Sequence, residues 1–181
     1  MNLQTLPEEA LKEILALTEA KKRLDLRENA QERFMSFAHH VYENFIEGRH
    51  HRIIAEKLEK VARGEIKRLI VNMPPRHSKS EFASYLMPAW FLGRNPKLKI
   101  IQATHNTELA VRFGRKVRDL IDDPQYQEVF PDTKLKEDNK GAGRWQTQAG
   151  GEYFAAGVGA AVTGRGADLF VIDDPHSEQD A

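Results

Sequence analysis

The chain has 181 residues, 27 Lys plus Arg against 27 Asp plus Glu, 40% hydrophobic residues and no cysteine. That length supports one domain with a real core and a small appendage. The missing cysteine excludes a disulfide framework, thiolate zinc sites and cysteine nucleophiles, and no apolar run approaches the ~20 residues that span a bilayer. The polar, acidic start from Met1 to Glu9 does not resemble a signal peptide. The expectation is a soluble globular protein of a reducing compartment. The zero net charge conceals an asymmetry. Residues 1–72 carry 13 basic and 12 acidic side chains, residues 73–118 carry 9 and 2, and residues 119–181 carry 5 and 13. A basic middle beside an acidic end suits a site that takes a polyanion and then a divalent metal. Mutual neutralisation across one fold is the plainer account.

Three helices are predicted first. One runs from Pro7 to about Arg27, with Leu11, Ile14, Leu15 and Thr18 on one stripe and Glu8 and Glu9 in the first turn. The second runs from Ala30 to Ile46, with Phe34, Phe37, Val41 and Phe45 at helical spacing, and Gly48 breaks it. The third spans His50 to Ala62 and stops at Gly64. Beyond it the pattern changes. Ile66–Asn72 is a short apolar run between turn residues and reads as a buried strand. After the turn 73–80 comes a helical pattern with Phe82, Leu86 and Trp90 at spacing four, which Pro88 is expected to kink or end. Lys97–Thr104 reads as a second strand, and Asn106 or Thr107 caps a helix running to Ile121. Residues 122–143 read as polar loop with short helical turns, Trp145–Ala155 as a hairpin about Gly150-Gly151, and Leu169–Ile172 as a third core strand. Such alternation implies an α/β sheet flanked by helices.

Strand, turn, Lys-Ser, helix is the layout of a phosphate-binding loop. Backbone N–H groups converge at a helix N-terminus, a lysine reaches the terminal phosphates, and a Ser or Thr hydroxyl meets magnesium. Lys79 and Ser80 occupy the last two positions in Met73-Pro74-Pro75-Arg76-His77-Ser78-Lys79-Ser80. The GxxxxGK[ST] pattern is broken twice, because Met73 and Ser78 stand where glycine is expected. Glycine is strictly required there only if φ must be positive. Pro74-Pro75 stiffens the start of the loop and removes two donors. A basic turn that merely caps the helix is the competing account.

The strand ending in Asp173-Asp174 supplies the other half of a nucleotide-hydrolysis site. Asp173 would hold magnesium beside Ser80, and Asp174 would orient or deprotonate the attacking water. Glutamate is usual in the second role, and aspartate is one methylene shorter. Positive charge at the transferred phosphoryl group is the remaining need. Arg76 lies within the loop. Arg165, between Gly164 and Gly166, precedes Asp173 by eight residues, up to ~26 Å at ~3.3 Å per extended residue, which sets it at the far strand end. From there it would serve a neighbouring subunit's nucleotide. Arg112, Arg115, Lys116 and Arg118 form a basic helical stripe for DNA phosphates, a subunit interface, or simply solvent. His39-His40 and His50-His51 make poor metal sites, since adjacent helical residues point about 100° apart. Asp132, Asp138 and Lys140 echo a PD-(D/E)xK nuclease core, but their acidic positions are too close together and lack a strand pattern.

The segment Ile66–Glu81 resembles the deviant Walker A segment of tailed-phage terminase large subunits. Leu92-Gly93-Arg94-Asn95-Pro96, Phe113–Arg118, Gly164-Arg165-Gly166-Ala167-Asp168 and Val171–His176 are similar to the same family, so the likeness runs from about Phe45 to the last residue. The resemblance implies the ATPase half of a DNA-packaging motor. Its fold would be a RecA-like P-loop NTPase of the additional-strand class, with a helical lead-in over 1–64 and the ATPase core over 65–181. It implies ATP and Mg2+ as ligands, nucleotide contacts from Pro74, Pro75, Arg76, His77, Ser78, Lys79 and Ser80, and Arg165 acting in trans. Double-stranded DNA, a portal protein, the terminase small subunit and further copies in a ring are the implied partners, in the bacterial host cytoplasm. The family's coupling motif and RNase H-like nuclease domain would lie beyond residue 181. The chain is therefore expected to be a fragment or truncated product whose incomplete sheet exposes apolar surface or self-associates. The alternatives are a non-catalytic DNA- or protein-binding adaptor using residues 73–118, and a helicase-like ATPase.

Overall fold

The computed structural model describes residues 7–42, 44–160, 162 and 164–176. Helices α1 (Glu8–Glu32), α2 (Phe34–Val41) and α3 (Arg49–Ala62) come first. A π-helical segment, Glu81–Leu86, then leads into α4 (Met87–Arg94). Strand β1 (Lys99–Thr104), helices α5 (Thr107–Ile121) and α6 (Pro124–Val129), and strands β2 (Leu135–Lys140), β3 (Arg144–Thr147), β4 (Glu152–Gly157) and β5 (Leu169–Asp173) follow. The result is a mixed α/β fold with a five-stranded sheet in the order β2-β3-β4-β1-β5. β1 lies parallel to both β4 and β5, while β2, β3 and β4 are joined by antiparallel pairing. No helix among the described residues is long and apolar enough to cross a membrane.

One core joins the N-terminal helices to the sheet. Phe34 of α2 meets the Phe82 and Trp90 rings edge-on at 5.4 and 5.5 Å. The polar tips of the large aromatics are satisfied by backbone or side chain, as burial demands: Trp90 Nε1 donates to the Ala30 carbonyl (3.0 Å), Tyr126 to Ala89 (2.9 Å), Trp145 to Gly114 (3.0 Å) and Tyr153 to Gln102 Oε1 (2.7 Å). Gly114 lets α5 approach the hairpin, since a Cβ there would lie 2.7 Å from the Ala142 carbonyl oxygen and 3.0 Å from the Tyr153 ring. Asn106 caps α5 by accepting from Leu109 N (2.8 Å), as its sequence predicts.

The chain departs from its sequence pattern in instructive places. The predicted helix boundary near Ala30 moves to Arg33, whose extended backbone (φ −113°, ψ 118°) separates α1 from α2. Phe34 N then donates to Glu59 Oε1 of α3 at 2.9 Å. Residues 66–72 are not a strand. Leu69, Val71 and Met73 pack on the core while Ile70 is 85% exposed, a period-two burial with no ladder to any described strand. Apolar content can bury alternate side chains, but a strand also needs a paired edge. Pro88 neither ends nor kinks the helix away. It sits in the first turn of α4, and the π turn before it bonds Met87 N to the Phe82 carbonyl, so the helix absorbs the proline's missing donor and continues to Arg94. β2 emerges from the polar stretch 122–143 because the β3 edge gives it a partner.

Glu59, almost fully buried, ties this arrangement through Phe34 N and through Arg33 Nη1 at 3.4 Å. Glu59→Ala leaves the Phe34 N–H without its acceptor and is expected to cost about 1–3 kcal/mol of stability by chemical denaturation. Glu59→Gln should recover part of that loss.

Candidate functional site

The turn after Met73 brings the backbone round sharply. Arg76 and Ser78 adopt φ of +63° and +61°, in the left-handed region, and Lys79 and Ser80 open the helix behind them. Left-handed non-glycine residues cost on the order of 1–3 kcal/mol each unless the surroundings enforce them. Ser78 therefore adopts a conformation that glycine takes most readily. Its carbonyl accepts the Phe82 N–H at 3.0 Å. The loop from Met73 to Glu81, His77 excepted, lines a cavity of about 490 Å³ together with Asp174.

β5 delivers the opposite wall. Its side chains alternate, with Val171 and Asp173 buried and Phe170 and Ile172 more than half exposed. Asp173 pairs in register with Thr104, at the C-terminal end of parallel β1. Asp174 leaves the strand at φ +43°, and its carbonyl accepts from His105 N at 3.1 Å. The two halves of the site meet at Lys79. Its ammonium donates to Asp174 Oδ1 at 2.6 Å and stands 3.9 Å from Asp173 Oδ1. The hydrogen bond to Asp174 raises the Lys79 pKa against the opposing effect of burial, so the amine is a fixed cation at neutral pH.

Asp173 has a partner that the sequence did not reveal. Buried Ser84 donates from Oγ to Asp173 Oδ2 at 2.8 Å, one helical turn beyond Ser80. That leaves Oδ1 on the Lys79 side. Ser80 lines the cavity, while Ser84 is the serine that bonds Asp173. An oxygen-only donor set of Ser80, Asp173 and Asp174 fits a hard cation such as Mg2+. No group of three or more His, Asp or Glu among the described residues makes a self-sufficient metal cage, and Mg2+ ordinarily completes its octahedron with phosphate oxygens and water.

The remaining expected residues divide. Arg76, Pro74 and Pro75 line the cavity. His77 does not: its Nδ1 bonds the Pro75 carbonyl at 2.9 Å and its ring meets His50 of α3 with centroids 5.6 Å apart. Arg165 lies at the other end of the parallel strands, 3.3 Å from Glu152 and stacked 4.1 Å over Phe154, where β4 pairs with the start of β1. Within one chain it does not reach Lys79. The stripe on α5 is not a uniform basic surface. Arg112 and Arg115 are exposed, but Lys116 bonds Glu81 at 2.9 Å and covers the Tyr85 ring, and Arg118 bonds Asp119 at 2.6 Å. Lys116 therefore anchors the helix that follows the 73–80 loop to α5. Opposite charges on neighbouring elements, Glu81 and Lys116, are the signal that could have indicated this.

Comparison with protein-family models, curated proteins and solved structures finds no match to this chain.

Two tests follow from the geometry. Ser78→Gly relieves the left-handed residue and should leave stability unchanged or raise it by up to about 1 kcal/mol. Ser78→Val, with a branched Cβ at positive φ, should lose about 1–3 kcal/mol in the same denaturation assay. His51 supplies the second. Burial first, then His50 and His77, push its pKa below the ordinary 6.5, with Glu47 opposing. Its Nδ1 accepts from Gly48 N, which leaves the proton of the neutral ring on Nε2, buried and without a partner. The unfolded chain takes up a proton near pH 6.5 that the folded chain resists, so stability is complete above that pH and falls as pH drops through it toward the lower folded value. Thermal melts across pH 7.5 to 5 should show this fall, and His51→Phe should flatten it.

Proposed function

We propose that the chain binds a nucleoside triphosphate, ATP by resemblance, at the 73–80 loop with Mg2+. In this reading it is the ATPase module of a DNA-packaging motor of the terminase large-subunit kind, a RecA-like P-loop fold in which residues 66–72 before the loop run unpaired, among the described residues, beside the five-stranded sheet. The observation that carries the reading is the meeting of Lys79 with Asp173 and Asp174, 94 and 95 positions apart, across one cavity. An adaptor has no use for that pairing. Two of the four residues an adaptor would use on α5, Lys116 and Arg118, are paired within the chain.

Each group then has a task. Lys79 and Arg76, with the first N–H groups of the helix, hold the β- and γ-phosphates. Ser80 and Asp173 hold the metal, and Ser84 fixes the Asp173 carboxylate so that Oδ1 is presented. A magnesium ion held by these residues would supply positive charge that offsets the charge building as the phosphoryl group transfers. Asp174 orients the attacking water or takes its proton. With the nucleotide absent Asp174 neutralises Lys79, so phosphate must displace the carboxylate. Release from the lysine is also what frees Asp174 for the water. Arg165, remote in its own chain, would complete the site of the next subunit in a ring on a portal, with double-stranded DNA as the translocated substrate in the host cytoplasm. Isolated chains should therefore turn over slowly.

Thermal shift with ATP and Mg2+ tests the reading. At ~100-fold excess over the dissociation constant the stabilisation should be ~2.7 kcal/mol, roughly 5–11 °C for a chain of this size. Lys79→Ala should abolish it. Asp174→Asn should bind nucleotide more tightly than wild type, because the lysine is freed, yet show no turnover. No shift at millimolar nucleotide, or salt-sensitive DNA binding that ignores both Lys79→Ala and Asp173→Ala, would favour the adaptor instead.

A further inference from the structure

α1 is 25 residues long, and its only buried residue is Ala30, near its C-terminal end. That end is fastened to the body: Trp90 Nε1 donates to the Ala30 carbonyl and Gln31 Nε2 to the Val129 carbonyl at 2.6 Å. The rest projects, and it carries Ile14, Leu15, Leu17, Leu24 and Leu26 between 40% and 63% exposed. Ile14, Leu17 and Leu24 share one stripe of the helix, whereas Leu15 and Leu26 lie on another side of it. Ala10, Ile14, Leu17, Lys21 and Leu24 recur at intervals of four and three, the spacing of a two-helix seam. Charge along the same helix is polar end to end. Residues 8–19 hold Glu8, Glu9, Glu13 and Glu19 against Lys12, and residues 20–27 hold Lys21, Lys22, Arg23 and Arg27 against Asp25.

We propose that α1 is a self-association arm that pairs antiparallel with α1 of a second copy of this chain. Antiparallel overlap sets Ile14 beside Leu17 of the second copy, and Glu8 and Glu9 beside its Arg23 and Lys22. Lys21, the polar residue in the seam, falls beside Ala10 of the second copy, between Glu9 and Glu13. A parallel pair would instead stack acid on acid and base on base. The overlap, residues 7 to 24, is about 27 Å long at 1.5 Å per residue, and its two-fold symmetry means that this contact joins chains in pairs, through a surface distinct from the Arg165 end of the sheet. The contact uses no residue of the nucleotide-type site, and so stands or falls apart from the proposed ATPase.

Sedimentation velocity of the full chain, without nucleotide, from low to high micromolar concentration tests it. A monomer–dimer equilibrium is expected, and Lys79→Ala should leave it unchanged. Leu17→Glu with Leu24→Glu should raise the dimer dissociation constant more than about tenfold, with the core melting temperature retained. Glu8→Lys with Glu9→Lys should weaken self-association, as should Lys22→Glu with Arg23→Glu, and the two charge variants mixed together should pair. A chain that stays monomeric at every concentration overturns the proposal. So does a dimer indifferent to the α1 substitutions, or charge variants that fail to pair on mixing.

Discussion

The ion pair between Lys79 and the Asp173-Asp174 carboxylates is the contact that joins the two halves of the candidate site. It joins a loop before one helix to the end of a strand about half the chain away. Parallel pairing of β1 and β5 fixes where that strand ends, since Thr104 and Asp173 stand in register. Period-two alternation then points Asp173 inward, on the same face as Val171. The helix after the loop contributes through its irregular turn. In the π-helical segment Ser84 reaches Asp173 Oδ2, and Lys116 of α5 holds the same segment through Glu81. Three elements thus constrain one carboxylate, and a lysine on a fourth segment reads its position.

Strain collects at the same place. Arg76, Ser78 and Asp174 all have positive φ and all line the cavity. A turn built from glycine would relax these angles at no steric cost, so the non-glycine residues are kept there by their surroundings: the Phe82 bond on the Ser78 carbonyl and the His105 bond on the Asp174 carbonyl. Backbone held in costly conformations at a charged, concave site is the usual mark of a loop shaped for a ligand rather than for stability. The Lys79–Asp174 bond has the same character. It pairs the two charges where both side chains line the cavity.

Much of this was legible in the sequence because it is local. The Asn106 cap, the strands about Ile100 and Val171, the hairpin at Gly150-Gly151 and the helix over Phe82, Leu86 and Trp90 each follow from a pattern within a dozen residues. The juxtaposition of Lys79 with Asp173 was also accessible, because a basic Lys-Ser turn before a helix and an acidic strand end are each readable alone. What failed was pairing. Ile66–Asn72 has the composition of a strand but no ladder among the described residues, and β2 has the composition of a loop but borrows its order from β3. Ser84 and Lys116 were missed or misassigned for one shared reason. A serine on an apolar helix face and a lysine on a basic stripe acquire their meaning from Asp173 and Glu81, which no periodicity links to them.

The placement of Arg165 sets a limit on what one copy can do. Its register beside Glu152 puts it at the N-terminal end of the parallel strands, while Lys79, Asp173 and Asp174 gather at the C-terminal end. Five residues of strand, about 16 Å, separate the two ends, and no side chain spans that distance. Stacking on Phe154 and bonding to Glu152 hold the guanidinium in a defined place on the surface rather than free in solvent. In the proposed chemistry the positive charge beyond that of Lys79 comes from Arg76 of the loop or from an arginine presented by another copy. The first choice gives a site complete in itself and the second gives one that works only in an assembly. The two differ in how activity scales with protein concentration.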